Sequence, residues 1–248
     1  MNDPAPHASL KRALVTGASG AIGRAIALRL AQDGAHVIVH ANRRLAVAQA
    51  LAGEIVAAGG SAEACAFDLT DRAATHAACE GLLASGPVQI LVNNAGTHDD
   101  AVFPALRESQ WHDVIDVSLN GFFNVTQPLV MPMIRTRWGR IINLSSVAAI
   151  AGNRGQVNYA AAKGALNSAT KALALELASR GITVNAVAPG IIDSGMAERV
   201  FDQATIERLV PMKRAGTAAE VAALVGFLAS GPAGYISGQV ISINGAMI

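Results

Sequence analysis

The sequence predicts an α/β fold in which one doubly wound parallel sheet of seven strands is flanked by helices. Short apolar runs alternate with longer helix-like stretches, which is typical of parallel sheets whose strands are buried on both faces. Glycines, among them Gly17, Gly96 and Gly190, follow several of these runs. No composition break marks a linker in the 248 residues, so we expect a single domain over residues 10–248 after a disordered tail at residues 1–9.

Each strand is predicted from a run of apolar residues with strong β propensity. In chain order the runs cover residues 13–16, 37–40, 62–67, 90–93, 140–144, 183–188 and 239–243. Helices are predicted between them at residues 21–32, 44–58, 72–84, 108–134, 159–179 and 218–229. Residues 117–134 carry no charge, but their prolines and side-chain amides favour a helix buried in a subunit interface over a membrane span.

Composition narrows the classes of function. Hydrophobic residues make up 52% of the chain and charged residues 15%, which predicts that other subunits cover part of the surface. A net charge of +1 predicts no strong attraction to nucleic acid or to an anionic membrane. Cys65 and Cys79 lack metal-ligand spacing, so no metal site is expected. The first residues contain no signal-like apolar run, and we therefore expect a cytoplasmic protein.

The strongest functional signal is a tyrosine and a lysine four residues apart, Tyr159 and Lys163, with Ser146 upstream. This spacing places the pair on one face of a helix, although it also occurs by chance on solvated helices. A nearby ammonium favours the phenolate, so we expect the phenol pKa to fall from its usual value of about 10 toward neutrality. Such a phenol can protonate an alkoxide while Ser146 hydrogen-bonds the same oxygen. The three residues predict carbonyl reduction or its reverse.

A glycine-rich turn, TGASGAIG at residues 16–23, joins the first predicted strand to the first predicted helix. In this context glycine lets the backbone approach a pyrophosphate, which the free N–H groups of a helix N-terminus bind. NAD sites usually place an acid about 20 residues further on, but none occurs between His36 and Gly53. Arg43 or Arg44 can instead pair with a 2′-phosphate; the alternative is a solvated helix start. The sequence favours NADP(H).

The chain resembles the short-chain dehydrogenase/reductase family from about Lys11 to its C-terminus. The turn at 16–23, FDLTD at 67–71, NNAG at 93–96 and PGIIDSGM at 189–196 resemble the family's cofactor motifs. Ser146, Tyr159 and Lys163 match its catalytic serine and Tyr-x-x-x-Lys. Segments such as GNRGQVNYAAAKGAL and ELASRGITVNAVAPG are most similar to bacterial β-ketoacyl-acyl-carrier-protein reductases, although they also occur in alcohol and sugar dehydrogenases.

The resemblance implies a Rossmann-like fold, a homotetramer, and NADPH-dependent reduction of a 3-oxoacyl thioester carried on acyl carrier protein. Two other interpretations stay open. One is an NAD(P)-dependent dehydrogenase of another small secondary alcohol, sugar or steroid. The other is a non-catalytic nucleotide-sensing scaffold on the same fold, against which the intact Ser146, Tyr159 and Lys163 argue.

Carried over residue by residue, the resemblance also implies roles. Tyr159 donates the proton, Lys163 lowers the phenol pKa and binds the nicotinamide ribose, and Ser146 orients the carbonyl. The implied cofactor-binding residues are Gly17, Ser19, Gly20, Ala21, Ile22, Gly23, Asn42, Arg43, Asp68, Leu69, Asn93, Ala95, Gly96, Tyr159, Lys163, Pro189, Gly190, Ile192 and Ser194. Arg137 and Arg180 match positions that the reductases use to dock the acidic carrier protein near the mouth of the site, the alternative being ordinary solvated arginines. Residues 196–211 are expected to form a mobile lid.

Two positions depart from the family's pattern. Ala21 stands at the second glycine of the turn, and Gly20 stands where the reductases often carry a basic residue, which leaves 2′-phosphate selectivity to the Arg43 region. Ser118 stands where the family has an asparagine that helps to hold a proton-relay water. Serine can join a hydrogen-bond chain but lacks the amide NH2. We expect a modified relay through Ser118, the alternative being a packing residue.

Overall fold

A computed structural model describes residues 10–193 and 202–248 of the chain. The predicted tail at residues 1–9, Ser194 and part of the predicted lid lie outside the described residues. Within these two ranges, none of the helices combines the length and the apolar character needed to cross a membrane.

Seven strands form the central sheet: β1 Arg12–Val15, β2 His36–Ala41, β3 Ser61–Ala66, β4 Ile90–Asn93, β5 Gly139–Leu144, β6 Ile182–Pro189 and β9 Val240–Ile243. All neighbours pair in parallel, in the order β3-β2-β1-β4-β5-β6-β9. A separate pair joins β7 Ile192–Asp193 to β8 Gly216–Thr217. The predicted doubly wound seven-stranded sheet is confirmed. The strand order reverses between β1 and β4, which is where such sheets bind ligands.

Helices cover both faces of the sheet. In the described residues they are α1 Ala21–Gln32, α2 Leu45–Ala57, α3 Arg72–Ala84, α4 Glu108–Ile115, α5 Gly121–Thr136, α6 Ala148–Ala151, α7 Val157–Leu177, α8 Gln203–Leu209 and α9 Ala218–Ala229. One apolar core packs the sheet against α1, α2 and α9, and a second packs its other face against α3, α5 and α7. Successive strand residues alternate between the two cores, with Val37 and Val39 in one and Ile38 in the other.

The single helix predicted at residues 108–134 is wrong, because the structure divides it. A π-helical turn, Asp116–Asn120, joins α4 to α5, and Ser118 lies buried within it. Ile115 and Asn120 both keep right-handed helical backbone angles, so the chain widens for one turn without leaving the helical path. Such wide turns occur frequently at functional sites. The turn changes where the Ser118 side chain points relative to a regular helix.

A ladder of buried amides and hydroxyls ties the sheet to two helices. Asn93 Nδ2 donates to Asn143 Oδ1 at 2.9 Å and to Thr126 Oγ1 of α5 at 3.1 Å. Asn143 Nδ2 in turn donates to Thr170 Oγ1 of α7 at 2.8 Å. Hydrogen bonds between buried polar groups are strong and directional in a low dielectric. The ladder therefore fixes α7, which carries the predicted catalytic pair, against β5.

Candidate active site

The predicted site residues gather at the carboxyl edge of the sheet. The glycine-rich turn follows β1, Asp68 follows β3, residues 94–96 follow β4, Ser146 follows β5, and Pro189 ends β6. They surround the point where the strand order reverses, which is the usual ligand position in an open α/β sheet.

Tyr159 lies in the first turn of α7, and its backbone is anchored there by a buried neighbour. The Asn158 side chain, 0% exposed, accepts a hydrogen bond from Tyr159 N at 2.8 Å. Its Nδ2 donates to the backbone oxygens of Asp99 and Gln110 at 3.0 and 2.9 Å. The loop after β4 and the helix α4 thereby set the position of Tyr159, the predicted proton donor.

The structure brings Ser146, Tyr159 and Lys163 together. The Ser146 side chain interacts with the Tyr159 phenol, and its hydroxyl also accepts a hydrogen bond from Ala148 N at 3.2 Å. Lys163 Nζ lies 5.8 Å from the centroid of the Tyr159 ring. Tyr159 and Lys163 are both on α7, and Ser146 reaches them from the segment after β5.

Lys163 is 3% exposed, and Nζ donates to the Leu144 carbonyl at 2.8 Å. Burial lowers the pKa of its ammonium to about 8. A Cβ added at Gly96 would lie 3.0 Å from Nζ. Glycine at position 96 therefore makes room for the lysine head group.

The expected acidification of Tyr159 is not found in the structure. Burial raises the pKa of the phenol, Ser146 opposes that change by lowering it, and the charge of Asp100 raises it further. The expectation gave too much weight to the nearby cation and too little to desolvation, which disfavours the phenolate. A raised pKa keeps Tyr159 protonated at neutral pH, which suits a proton donor.

Ser118 lies beside this group, as the resemblance implied. It is 2% exposed, and among the described residues its Oγ has no hydrogen-bond partner. A Cβ at Gly96 would be 3.5 Å from this oxygen and 3.0 Å from Lys163 Nζ, so the two polar atoms border the same small space. A buried hydroxyl without a partner is costly unless water or another group satisfies it.

The glycine-rich turn has the shape that a pyrophosphate requires. Gly17 has a φ of +64°, and a Cβ there would lie 2.9 Å from Ala95 Cα, so only glycine fits. Asn94 Nδ2 donates to the backbone oxygens of Thr16 and Gly17 at 2.8 and 3.1 Å. Gly23 packs against this amide, because a Cβ at that position would lie 2.6 Å from Asn94 Nδ2.

The helix N-terminus behind the turn is available to an anion. Helix α1 begins after Gly20, which provides no side-chain cap, and its first turn contains no acidic residue. Its free N–H groups and its dipole are therefore not engaged by a side chain. These residues fit the phosphates of a dinucleotide.

Two arginines follow β2 beside the glycine-rich turn and Asp68. Arg44 donates to Ser19 Oγ in the glycine-rich turn at 3.1 Å. The Arg43 side chain is 86% exposed and lies 3.9 Å from Asp68 Oδ2. Asp68 accepts two hydrogen bonds from Thr70, which together with Arg43 lower the pKa of its carboxyl despite partial burial. Of the two arginines that the sequence offered, Arg44 is the one that reaches toward the turn.

Several predicted cofactor residues have other structural duties. The Asn93 amide belongs to the buried ladder described above, so its Nδ2 is already engaged by Thr126 and Asn143. Gly190 makes room for the C-terminal segment, since a Cβ there would lie 2.8 Å from Asn244 Cβ. Ile22 and Ile192 pack in or against the apolar core. These four residues could therefore contact a cofactor only through their backbone or through the exposed edge of a side chain.

The predicted docking arginines lie at the opposite edge of the sheet. Arg137 precedes the amino end of β5 and Arg180 precedes that of β6, whereas Ser146 follows the carboxyl end of β5. Arg137 donates to the backbone oxygen of Ser179 at 3.3 Å, so the two arginines are neighbours. In a single subunit they do not border the mouth of its own site, and their docking role stays a prediction.

Sequence reasoning missed three positioning residues: His40, Asn94 and Asn158. Their signal in the sequence is a polar residue at or just after the end of a strand or at the start of the helix carrying Tyr159. Position suggests a role at the carboxyl edge, but only the fold shows which backbone groups each one holds.

The fold and the site define an oxidoreductase with a nicotinamide dinucleotide site. Residues 11–205 match the family model of the short chain dehydrogenases, and the chain belongs to this family. Two similar relatives are 3-oxoacyl-acyl-carrier-protein reductases FabG. The one from Aggregatibacter actinomycetemcomitans is 44% identical over 236 residues, covering 94% of this chain and 98% of the relative. The one from Staphylococcus aureus (strain Mu50) is 45% identical over 240 residues, covering 96% and 98%. Nodulation protein G of Azospirillum brasilense is 44% identical over 246 residues, with coverage of 96% and 98%.

Proposed function

We propose that this oxidoreductase reduces a 3-oxoacyl thioester carried on acyl carrier protein to the 3-hydroxyacyl thioester, with NADPH as the reductant. The observation that carries the proposal is the Ser146, Tyr159 and Lys163 cluster at the carboxyl edge. Similarity over nearly the whole chain to two reductases named for this substrate supports the choice of substrate class.

The chain's own residues position and protonate the ketone. A reduced nicotinamide bound at this edge supplies hydride, the part of the chemistry that belongs to the cofactor. Ser146 and Tyr159 hold the ketone oxygen between their hydroxyls, and Tyr159 gives its proton to the developing alkoxide. Lys163 then returns a proton toward the phenolate.

Ser118 takes part in the proton supply to Lys163. Its unpartnered Oγ and the Lys163 ammonium border the space that Gly96 leaves open. A water between them would satisfy the hydroxyl and link the ammonium to further proton carriers. This arrangement is the modified relay expected from serine in place of asparagine.

Arg44 and Ser19 make the cofactor preference NADPH rather than NADH. The segment after β2 contains no carboxylate that would repel a 2′-phosphate, and Arg44 is held against the turn by Ser19. A guanidinium makes charge-assisted hydrogen bonds to phosphate. Asp68, further along the same edge, is left to the adenine side.

Exposed apolar side chains support assembly into a homotetramer. Phe123 and Met131 on α5 are 47% and 53% exposed, and Leu175 on α7 is 85% exposed. Together with the apolar composition, they match the expectation that α5 and α7 are covered by other subunits. Sedimentation of the purified protein measures the subunit number directly.

A reductase assay with a matched pair of tyrosine variants tests the function. Loss of NADPH absorbance with acetoacetyl thioester is the readout, and a panel of secondary alcohols and sugars with NADP⁺ tests the alternative dehydrogenase. Tyr159→Phe is expected to lower kcat by about 10²–10⁴-fold, the contribution typical of a positioned general acid. Tyr235→Phe, which changes the chain's other tyrosine on the surface, is the control and leaves kcat unchanged.

Full turnover by Tyr159→Phe would remove the acid assignment. Turnover of an alcohol substrate with negligible activity on the thioester would replace the proposed substrate class. Absence of any cofactor-dependent absorbance change with either group of substrates would favour the nucleotide-sensing scaffold.

A further inference from the structure

His40 lies at the junction of two parts of the nucleotide site. It is the fifth residue of β2, and it is 1% exposed. Gly17 N donates to its Nδ1 at 3.2 Å, and its Nε2 lies 2.9 Å from the Phe67 carbonyl. The two rings of His40 and Phe67 are 4.3 Å apart between centroids. One imidazole thus connects the glycine-rich turn to the backbone just before Asp68.

These partners determine the tautomer of the imidazole. A backbone N–H can only donate, so Nδ1 must carry a lone pair where Gly17 N approaches it. A carbonyl oxygen can only accept, so Nε2 must carry the hydrogen toward Phe67. The bonds require the neutral ring protonated at Nε2. A second proton at Nδ1 would place two donors against each other and break the link to Gly17.

The turn depends on His40 through its backbone as well. Ala18 N donates to the His40 carbonyl at 2.8 Å, directly after Gly17 in its left-handed conformation. Asn94 holds the other side of the turn through the Thr16 and Gly17 carbonyls. The Gly17 peptide is therefore fixed from β4 on one side and from the β2 imidazole on the other.

We propose that neutral His40 is a positioning residue for the cofactor, which aligns the pyrophosphate turn with the adenine-side loop, and that its protonation weakens dinucleotide binding in acid. The inference rests on the proposed nucleotide site but not on the proposed substrate or on the catalytic roles. Its consequence appears in binding affinity, which is measured without turnover.

Burial, rather than the charges around the ring, favours a neutral imidazole. Burial lowers the pKa of His40 below its usual 6.5, and the hydrogen bond to Phe67 and the charge of Asp68 oppose that change. The titratable groups in its surroundings are Asp68 and Cys65 on the β3 side and Arg43 and Arg44 on its own chain, since residues 16–23 contain none. Burial raises the pKa of the Cys65 thiol to about 12, so it adds no charge.

The sign of the pH effect follows from these directions. If only the neutral ring supports binding, the dissociation constant is constant well above the His40 pKa and rises as pH falls through it. Because that pKa is depressed, the rise occurs below pH 6.5. One proton coupled to binding gives a limiting slope of about tenfold per pH unit. Below pH 6.5 the folded state also binds fewer protons than the unfolded chain. The free energy of unfolding therefore declines as the pH falls through the same range.

Three substitutions at position 40 separate hydrogen bonding from packing. His40→Asn places an amide oxygen where Nδ1 accepts from Gly17, and it does not titrate. His40→Gln can reach the Phe67 carbonyl instead but leaves Gly17 N without its acceptor. His40→Phe keeps a ring beside Phe67 and loses both hydrogen bonds. Thermal unfolding of each variant identifies any that fail to fold.

The dissociation constants of NADPH and NADH are measured by nicotinamide fluorescence from pH 8 to 5 for the parent protein and each variant. A 2′-phosphate itself titrates near pH 6, roughly like other phosphomonoesters, so the informative quantity is the difference between parent and variant with the same cofactor. At pH 8 we expect His40→Asn to bind within a fewfold of the parent and His40→Phe and His40→Gln about tenfold more weakly. Below pH 6.5 the dissociation constant of the parent should rise more steeply than those of the variants, because only the parent carries a titrating group at position 40.

Equal acid dependence in the parent and in His40→Asn would overturn the inference while leaving the proposed function intact. Binding by His40→Phe as tight as the parent at pH 8 would reduce His40 to a packing residue and would also overturn it. Failure of the parent to bind either dinucleotide would overturn the cofactor assignment and the role of His40 together.

Discussion

The choice between NADPH and NADH should depend on Arg44 and not on its neighbour. Arg44 donates to Ser19 Oγ at 3.1 Å and is thereby held over the phosphate-binding turn. Arg43 points into solvent, with 86% of its side chain exposed and Asp68 at 3.9 Å. Replacing each arginine by glutamine removes one charge at a time while keeping most of the side-chain length. The adjacent positions are therefore matched variants.

The expected magnitude follows from one charge-assisted contact. A hydrogen bond to a charged group contributes about 1.5–3 kcal/mol, and about 1.4 kcal/mol corresponds to tenfold in affinity. Arg44 is exposed, so screening by solvent and salt should place its contribution to NADPH binding at the lower end of this range. Arg44→Gln should weaken NADPH by about tenfold at low ionic strength, leave NADH almost unchanged, and lose part of its effect at about 1 M salt.

The assay first measures the dissociation constants of NADPH and NADH for both variants at pH 8. It then compares kcat/KM with NADPH to kcat/KM with NADH for each variant. Arg43→Gln should alter the ratio by less than about twofold, as expected for an exposed charge without a fixed partner. A larger change in Arg43→Gln than in Arg44→Gln would refute the reasoning from the Ser19 contact. An unchanged ratio in both would show that the segment after β2 does not select the cofactor.

Two further predictions concern the buried polar atoms behind the phenol. Ser118→Ala should leave the free energy of unfolding unchanged, because its Oγ has no hydrogen-bond partner within residues 10–193 and 202–248. The same substitution should lower kcat by about tenfold, the effect of one hydrogen bond in the relay; an unaffected kcat would make Ser118 a packing residue. The second prediction concerns Lys163, whose pKa burial lowers from 10.5 to about 8. Between these two pH values the folded state binds fewer protons than the unfolded chain. The contribution of Lys163 to stability therefore rises as the pH rises from about 8 to 10.5. Chemical denaturation from pH 7.5 to 10 should show that the free energy of unfolding of the parent protein rises by up to roughly 3 kcal/mol, and that this rise is missing in Lys163→Met. The same pH profile in both proteins would contradict a buried ammonium at Lys163.

The sequence was sufficient for the sheet because its central strands are buried on both faces. Residues 90–93 and 183–188, for example, are mostly apolar and lie in strands that are buried along their whole length, as expected for parallel strands in the middle of a sheet. The predicted catalytic pair, Tyr159 and Lys163, could be recognised in the same way, since a spacing of four residues on one helix places two side chains on the same face. Both features leave a local residue pattern, which can be recognised without knowledge of the distant contacts.

Features that depend on contacts between distant segments could not be read in this way. The π-helical turn at Asp116–Asn120 has an ordinary helical composition, and nothing in residues 108–134 marks the extra residue in the turn. Asn93 matched a cofactor motif, yet its amide is bonded to Asn143, fifty residues later. His40 looked like the end of a strand until the fold placed Gly17 and Phe67 at its two nitrogens. In each case the partner lies on another element, and sequence spacing carries no information about it.

The opposite pKa shifts of Tyr159 and Lys163 give the proton a direction. Burial raises the pKa of the phenol above 10.0 and lowers that of the ammonium to about 8, so the lysine is the stronger acid of the two. In the proposed reaction, the phenolate left after Tyr159 has protonated an alkoxide is therefore the base toward which a proton from Lys163 moves downhill. A phenol acidified to neutrality would have been partly ionised before reaction and a weaker base afterwards. Desolvation, which contradicted the expected acidification, thus favours both the donor state of Tyr159 and its recovery.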